Sequence, residues 1–314
     1  AALDPSVRVI KCIIYRSGDN SELISALCKA SKAGKDVSVV LELKASFDEE
    51  RNSRLAAQLQ QAGCNISYGL VGLKVHAKLI LVVRKETNGY QAYVNIATGN
   101  FNPKTAALYT DLSLFTCNSD ICDDAIDLFN ALFGYSRKRD YRALLVAPVT
   151  MMHQFLNLIE DEMRNAVQGL PAEIMVQVNG ITEPAIAEAL YNASQAGVKI
   201  TLIVRGICLI RPGISGRSEN IRVLAWVGRF LQHRRIFFFE AAGQKKYFIG
   251  SADWRSRNLT ERVEVAAPIL QESLKKRLRK AMEYFLNPNS GSWEMASDGK
   301  YYRLKREVQI QLTG

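Results

Sequence analysis

No apolar run in these 314 residues approaches the roughly 18 needed for a membrane-spanning helix, which speaks against a protein that crosses a bilayer. Cysteines number six and histidines three, and no Cys-x-x-Cys occurs. That spacing gives no support to a structural zinc site. The cysteines, at 12, 28, 64, 117, 122 and 208, read as buried, reduced thiols of a cytoplasmic protein. Neither an initiating Met nor a signal peptide is present. The opening Ala1-Ala2-Leu3-Asp4-Pro5 runs at once into the strand-like Val7-Arg8-Val9-Ile10, and a fragment of a longer protein is expected.

A hydrophobic content of 48% is enough to build cores and excludes global disorder. The length suits about two domains of ordinary size. Net charge is +10 and the pI about 9.3. This balance favours an anionic partner: nucleic acid, a phosphate ester or polymer, or an acidic membrane surface.

The chain repeats itself. Residues 26–41, ALCKASKAGKDVSVVL, resemble 189–204, ALYNASQAGVKITLIV. Each reads as helix, Ala-Gly stop and strand, with Gly34 and Gly197 at C-cap positions. Asp19 with Glu22 makes a capping box for the first helix. A helix followed by a strand, repeated, indicates α/β layers.

A second match is chemical. Val75-His76-Ala77-Lys78-Leu79-Ile80-Leu81 is a strand pattern, Asn88-Gly89 a hairpin signal, and the return strand ends in Thr98-Gly99-Asn100-Phe101-Asn102. Later, Gln232-His233-Arg234-Arg235 opens another strand pattern, Gly243 turns the chain, and Gly250-Ser251-Ala252-Asp253-Trp254 closes it. Each half therefore carries His-x-cation, hairpin, then a small-residue loop ending in Asn or Asp. A boundary is placed in 134–140, between domains 1–137 and 138–314. Residues 271–286 read as a basic amphipathic helix, 287–300 as an exposed loop, and 301–312 as an edge strand or tail.

Residues i and i+2 of a strand share a face. His76 with Lys78, and His233 with Arg235, thus project together. Neutral imidazole is a nucleophile near pH 7, and a fixed cation stabilises anionic oxygens, so the pairs suit phosphoryl chemistry. Two such faces across a pseudo-twofold would let one His attack phosphorus while the other moves a proton. Asn100 and Asp253 are placed to orient the imidazoles or the phosphate. His153 is read as structural or surface, and Cys117 and Cys122 as core thiols.

The His-x-Lys/Arg strand with its small-residue loop resembles the phospholipase D superfamily, whose duplicated halves share one active site. The usual Asp five residues after the cation is absent, with Val83 and Glu240 in its place. A narrower resemblance rests on residues 43–50, Gly72–Lys78, Thr98–Asn102, Leu108–Asp111, Val204–Cys208, Ser218–Arg222 and Ser251–Trp254. In that order these resemble the polyphosphate kinase family, the large type that works through phosphohistidine.

The resemblance implies an α/β fold of two similar phospholipase D-like domains, each a mainly mixed β-sheet flanked by helices, related by a pseudo-twofold. It implies reversible transfer of the terminal phosphoryl group of ATP to polyphosphate. His76 would be phosphorylated, with Lys78 and Arg235 as catalytic cations and His233 as acid–base partner and phosphate contact. Tyr109, Arg205, Asn100, Asn102 and Asp253 would contact nucleotide or phosphate. Arg16 matches an arginine of the magnesium–phosphate site and is read as a phosphate clamp. The second such arginine of the family is Ser46 here. Mg2+, ATP and ADP, and polyphosphate are the expected cofactor and partners. A cytoplasmic homo-oligomer without specific nucleic-acid binding is expected, with room for peripheral membrane association. A phospholipase D-type phosphodiesterase and a non-catalytic polyanion-binding fragment stay open as alternatives.

Overall fold

The computed structural model describes residues 1–15, 21–42, 49–136 and 140–304. Arg16, Asp19 and Ser46 lie outside them, as do 137–139 of the expected boundary and the tail from 305. The chain folds into two compact units. The first comprises Ala1–Phe155, His233–Arg235 and Phe248–Pro268; the second comprises the remaining stretches from Leu156 onward.

The first unit is built on a six-stranded mixed sheet. In chain order come β1 (Val7–Ile14), α1 (Ser21–Lys32), β2 (Asp36–Leu41), α2 (Glu49–Gln61), β3 (Asn65–Ser67), β4 (Lys74–Val75), β5 (Leu79–Glu86) and β6 (Gly89–Ala97). Then follow α3 (Pro103–Ala106), β7 (Tyr109–Thr110), β8 (Ser113–Thr116), α4 (Ser119–Leu132) and β9 (Leu145–Ala147). Sheet order is β3-β2-β1-β5-β6-β8. β1, β2 and β3 run parallel because α1 and α2 return the chain, whereas β5 joins β1 antiparallel and the β5–β6 hairpin continues the sheet. Parallel neighbours require such crossovers. One face packs Ile10, Cys12, Ile14, Val37 and Val39 against Ile24, Leu27, Leu55 and Leu59 of the helices. α4 buries Ile121, Ala125, Leu128 and Phe129.

The second unit repeats this plan. α5 (Met151–Val167) leads to β10 (Glu173–Val178), α6 (Pro184–Gln195), β11 (Lys199–Val204), β12 (Ile221–Ala225), β13 (Leu231–Gln232) and β14 (Ile236–Phe239). β10, β11 and β12 are parallel and β14 joins β10 antiparallel, as β5 joins β1. Gly34 and Gly197, at φ +80° and +95°, end α1 and lie just past α6 in the left-handed region that other residues avoid.

The chain then re-enters the first unit with β15 (Lys246–Gly250), α7 (Ser256–Thr260) and β16 (Arg262–Pro268). β16 lies between β15 and β9 on one side of the register and β4 on the other. After it, α8 (Glu272–Glu283) is the basic amphipathic helix expected from the sequence, its Arg279 bidentate on Glu173 at 2.8 and 3.2 Å. The 287–300 stretch departs from an exposed loop. It contains a strand, Trp293–Met295, paired with Tyr301–Arg303. Ser290 and Ser292 are buried because their hydroxyls bond each other at 2.8 Å and the Ser290 carbonyl accepts from Trp226 Nε1. Cys117 also departs from expectation: it is exposed, sitting between an edge strand and the Asn118 N-cap of α4, while Cys122 is buried. His153 is exposed on α5.

Candidate active site

His76 and Lys78 do not lie within one strand. The chain leaves β4 at Val75 and enters β5 at Leu79, and these two strands belong to different ladders. His76 N and Ala77 N both donate to Val263 O, at 2.9 and 3.0 Å, which bends the chain between the ladders. Lys78 Nζ then turns back and donates to the carbonyl of His76. The second motif repeats this device. His233–Arg235 joins β13 to β14, and Arg235 Nη1 donates to His233 O at 3.0 Å. The pairing of His with its cation is thus kept by a backbone hydrogen bond instead of by strand alternation.

Each imidazole has a carboxylate on Nδ1. His76 Nδ1 lies 2.8 and 2.9 Å from the oxygens of Glu264 on β16, and His233 Nδ1 lies 2.8 Å from Asp111 Oδ1. Glu264 is 0% exposed and accepts also from Asn258 Nδ2 at 2.6 Å and from Ser251 Oγ. Asp111 accepts also from Thr98 Oγ1 at 2.7 Å. Gly99 makes room for it: a Cβ there would stand 2.0 Å from Asp111 Oδ2. An ionised carboxylate on Nδ1 makes that nitrogen the donor and leaves the Nε2 lone pair for chemistry.

Burial pushes the His76 pKa down to about 4; Glu264 opposes the shift and Lys78 adds to it. His233 is lowered as well, first by burial, against the opposing bond from Asp111. Burial acts to raise Glu264 and Asp111, but the histidines they hold outweigh it and keep both below the ordinary carboxylate range. Lys78, 3% exposed, is pushed down to about 7 by burial, with Glu264 opposing. Both rings are therefore neutral at pH 7, with the charge of the site on its carboxylates and cations.

Tyrosines flank the pair. Tyr15 meets His76 edge to face at 4.9 Å, and Tyr109 lies 5.1 Å from His233. Arg235, 4% exposed, is held by Asp253 through Nε at 3.1 Å and donates Nη1 to Thr98 O at 3.0 Å. Asn100 lines a cleft of about 250 Å³ with Lys78, Tyr15 and Phe101, and its buried Oδ1 has no hydrogen-bond partner among the described residues. Asn102 serves the loop, its Oδ1 capping α3 through Lys104 N at 3.0 Å. Arg205 belongs to the second unit, where Nε donates to Asn179 Oδ1 at 2.5 Å. His76, Lys78, Tyr109, Asn100, His233, Arg235 and Asp253 all fall in the first unit.

Comparison with known proteins decides the family. Residues 1–138 match the family model "Polyphosphate kinase C-terminal domain 1", and 144–313 match "Polyphosphate kinase C-terminal domain 2". The chain belongs to the polyphosphate kinase family. The polyphosphate kinase of Thermosynechococcus vestitus is 50% identical over 96% of this chain and 41% of its own length. That of Pseudomonas aeruginosa is 46% identical over 97% of this chain and 44% of its own. The chain thus spans less than half the length of these curated polyphosphate kinases. The crystal structure of polyphosphate kinase from Porphyromonas gingivalis superposes with a TM-score of 0.90 at 39% identity, covering 98% of this chain and 47% of that one. Phosphatidylserine synthase of Haemophilus influenzae, at 10% identity and a TM-score of 0.58, shares the fold alone. The α/β, phospholipase D-like architecture expected from the sequence is the one this polyphosphate kinase family member has.

Glu264, Asn258 and Ser251 as partners of one histidine, and Asp111 and Thr98 as partners of the other, were not legible as site residues. Asp111 stands in the Leu108–Asp111 motif and Ser251 in the small-residue loop, which is the signal that could have found them. Among the described residues no helix is long and apolar enough to cross a membrane.

Proposed function

We propose that this chain is the catalytic core of a polyphosphate kinase, moving the terminal phosphoryl group of ATP reversibly onto polyphosphate through His76. The Nε2 lone pair attacks the terminal phosphorus, the bond to the bridging oxygen breaks, and its electron pair stays on ADP. In the second half-reaction a terminal oxygen of polyphosphate attacks the phosphoryl group and the N–P electron pair returns to Nε2. Glu264 holds the Nδ1 proton throughout and stabilises the positive charge that grows on the ring. His233, held by Asp111, exchanges a proton with the entering or leaving phosphate oxygen. Lys78, Arg235, Asn100 and Tyr109 bind and orient the phosphates, and Arg205 contacts the nucleotide. Positioning and charge supply most of the catalysis in phosphoryl transfer.

The single observation that carries this reading is the buried Glu264 on Nδ1 of a neutral His76. Magnesium enters with the nucleotide, screening its phosphates. Among the described residues no group of three His, Cys, Asp or Glu side chains could hold the ion. Glu264, Asp111 and Asp253 are already engaged by His76, His233 and Arg235. That donor set fits a metal carried by substrate phosphates. The family models' ranges support two catalytic domains, 1–137 and 138–314. The free cysteines support a cytoplasmic setting, and we expect copies of the chain to assemble.

The test is incubation with γ-labelled ATP and magnesium. Acid-labile, base-stable label is expected on the protein, lost in His76→Ala, with His233→Ala mainly slowing turnover. Undiminished labelling of His76→Ala would overturn the assignment.

A further inference from the structure

The rung of the β4–β16 ladder next to the site is a pair of like charges. The two strands are parallel, with Lys74 opposite Arg262 and Val75 opposite Val263. Residues two apart on a strand share a face. Arg262 therefore shares the face of Glu264, and Lys74 lies two residues before His76. Like charges directly opposite each other are destabilising, so this pairing is an odd choice for structure alone.

Two more arginines join it. Arg255 caps the N-terminal end of α7 without a side-chain bond, and Arg257 lies in that helix. Arg257 feels the charges of Arg255 and Arg262, together with Asp253 and Tyr15. Arg262 in turn acts on Lys78. Among the described residues, Lys74, Arg255, Arg257 and Arg262 form no ion pair. The Arg255 Nε is buried with no hydrogen-bond partner. The carboxylates nearest in the fold are already committed, Asp253 to Arg235 and Glu264 to His76.

We propose that Lys74, Arg255, Arg257 and Arg262 form a subsite for the acceptor chain, holding the phosphates of polyphosphate that follow the one reacting at His76. The proposal rests on the phosphohistidine reading and adds to it which residues grip the polymer. Two strand residues span about 7 Å, so the Lys74–Arg262 rung sits a few phosphoanhydride links from the reacting end. A flexible polymer with a charge on every unit can neutralise all four cations at once. A nucleotide triphosphate occupying the His76 and Lys78 site cannot extend so far. Arginine forks match phosphate oxygens in pairs, which suits three arginines and one lysine to gripping the chain.

The experiment measures equilibrium binding of long-chain polyphosphate, tripolyphosphate, oligo-dT and MgATP across a salt series, for wild type, Arg257→Gln, Arg262→Gln and Lys74→Gln. Each variant should weaken long-chain polyphosphate several-fold and flatten log K against log salt by about one charge, in keeping with counterion release. Affinity for MgATP and tripolyphosphate should stay within about twofold. Melting temperature should hold or rise, since a repulsion is removed, and polyphosphate should raise it less than in wild type. Unchanged affinity for long polyphosphate overturns the proposal. So does an equal loss for MgATP, which would place the cluster in the nucleotide site, or oligo-dT bound as tightly as polyphosphate, which would make it a general polyanion patch. Wild-type protein that labels on His76 while all three variants bind polymer normally defeats the subsite alone. Wild-type protein that binds polymer through these residues without labelling defeats the phosphohistidine reading alone.

Discussion

Replacing Glu264 by Gln tests the site at its most buried point. The carboxylate receives three donors on two oxygens: His76 Nδ1 at 2.8 and 2.9 Å, Asn258 Nδ2 at 2.6 Å, and Ser251 Oγ. Gln keeps the shape but has one acceptor oxygen. Ser251 can rotate to accept from the new amide, so the fold loses one bond's worth, about 1–3 kcal/mol. The imidazole fares worse. With the amide oxygen toward Asn258, the NH2 group lies against Nδ1, which then must accept, and the proton moves to Nε2. Where a carboxylate-to-amide change traps the wrong tautomer, the cost is roughly 10⁴ in rate. Even with the right tautomer, the positive charge growing on the ring loses a charged hydrogen bond worth about 1.5–3 kcal/mol. Together these give roughly 10²–10⁴ lower rate of phosphohistidine formation. The assay is single-turnover labelling from γ-labelled ATP with magnesium, with MgATP affinity and melting temperature measured on the same protein. A rate within threefold of wild type would refute the role given to Glu264.

The depressed His76 pKa has a sign that can be checked. Its folded value of about 4 lies below the ordinary 6.5, so the unfolded chain binds more protons between those pH values. The stability due to keeping His76 neutral is complete above about 6.5 and falls away as pH drops toward 4. The His76 ring proton resonance should titrate near 4, and a midpoint at 6–7 would contradict the burial argument. Gly99→Ala should push Asp111 off His233, since the new methyl lands 2.0 Å from its carboxylate. His233 then loses the bond that opposes its downward shift, so its pKa should fall further, with stability reduced by about 1–3 kcal/mol. An unchanged His233 titration would show that the loop absorbs the methyl.

Local pattern was enough for the elements and their repetition. Helix, glycine stop and strand recur at 21–41 and 184–204, because amphipathic spacing, left-handed glycines and β-branched runs act over short distances. The repeated His-x-cation motif was legible for the same reason, and its clustering in the first unit agrees with that reading. Local pattern went wrong at the motif itself. A strand through 75–81 fits the alternation, yet two hydrogen bonds to Val263 O bend the chain at His76 and Ala77. Nothing within those residues encodes that acceptor. Nor could sequence name what turns each histidine into a reagent. Glu264 is 188 residues from His76 and Asp111 is 122 from His233. A carboxylate's effect on an imidazole depends on a separation of a few ångströms and on exclusion of water, both of which arise only when β16 packs beside β4 and Gly99 leaves room for Asp111.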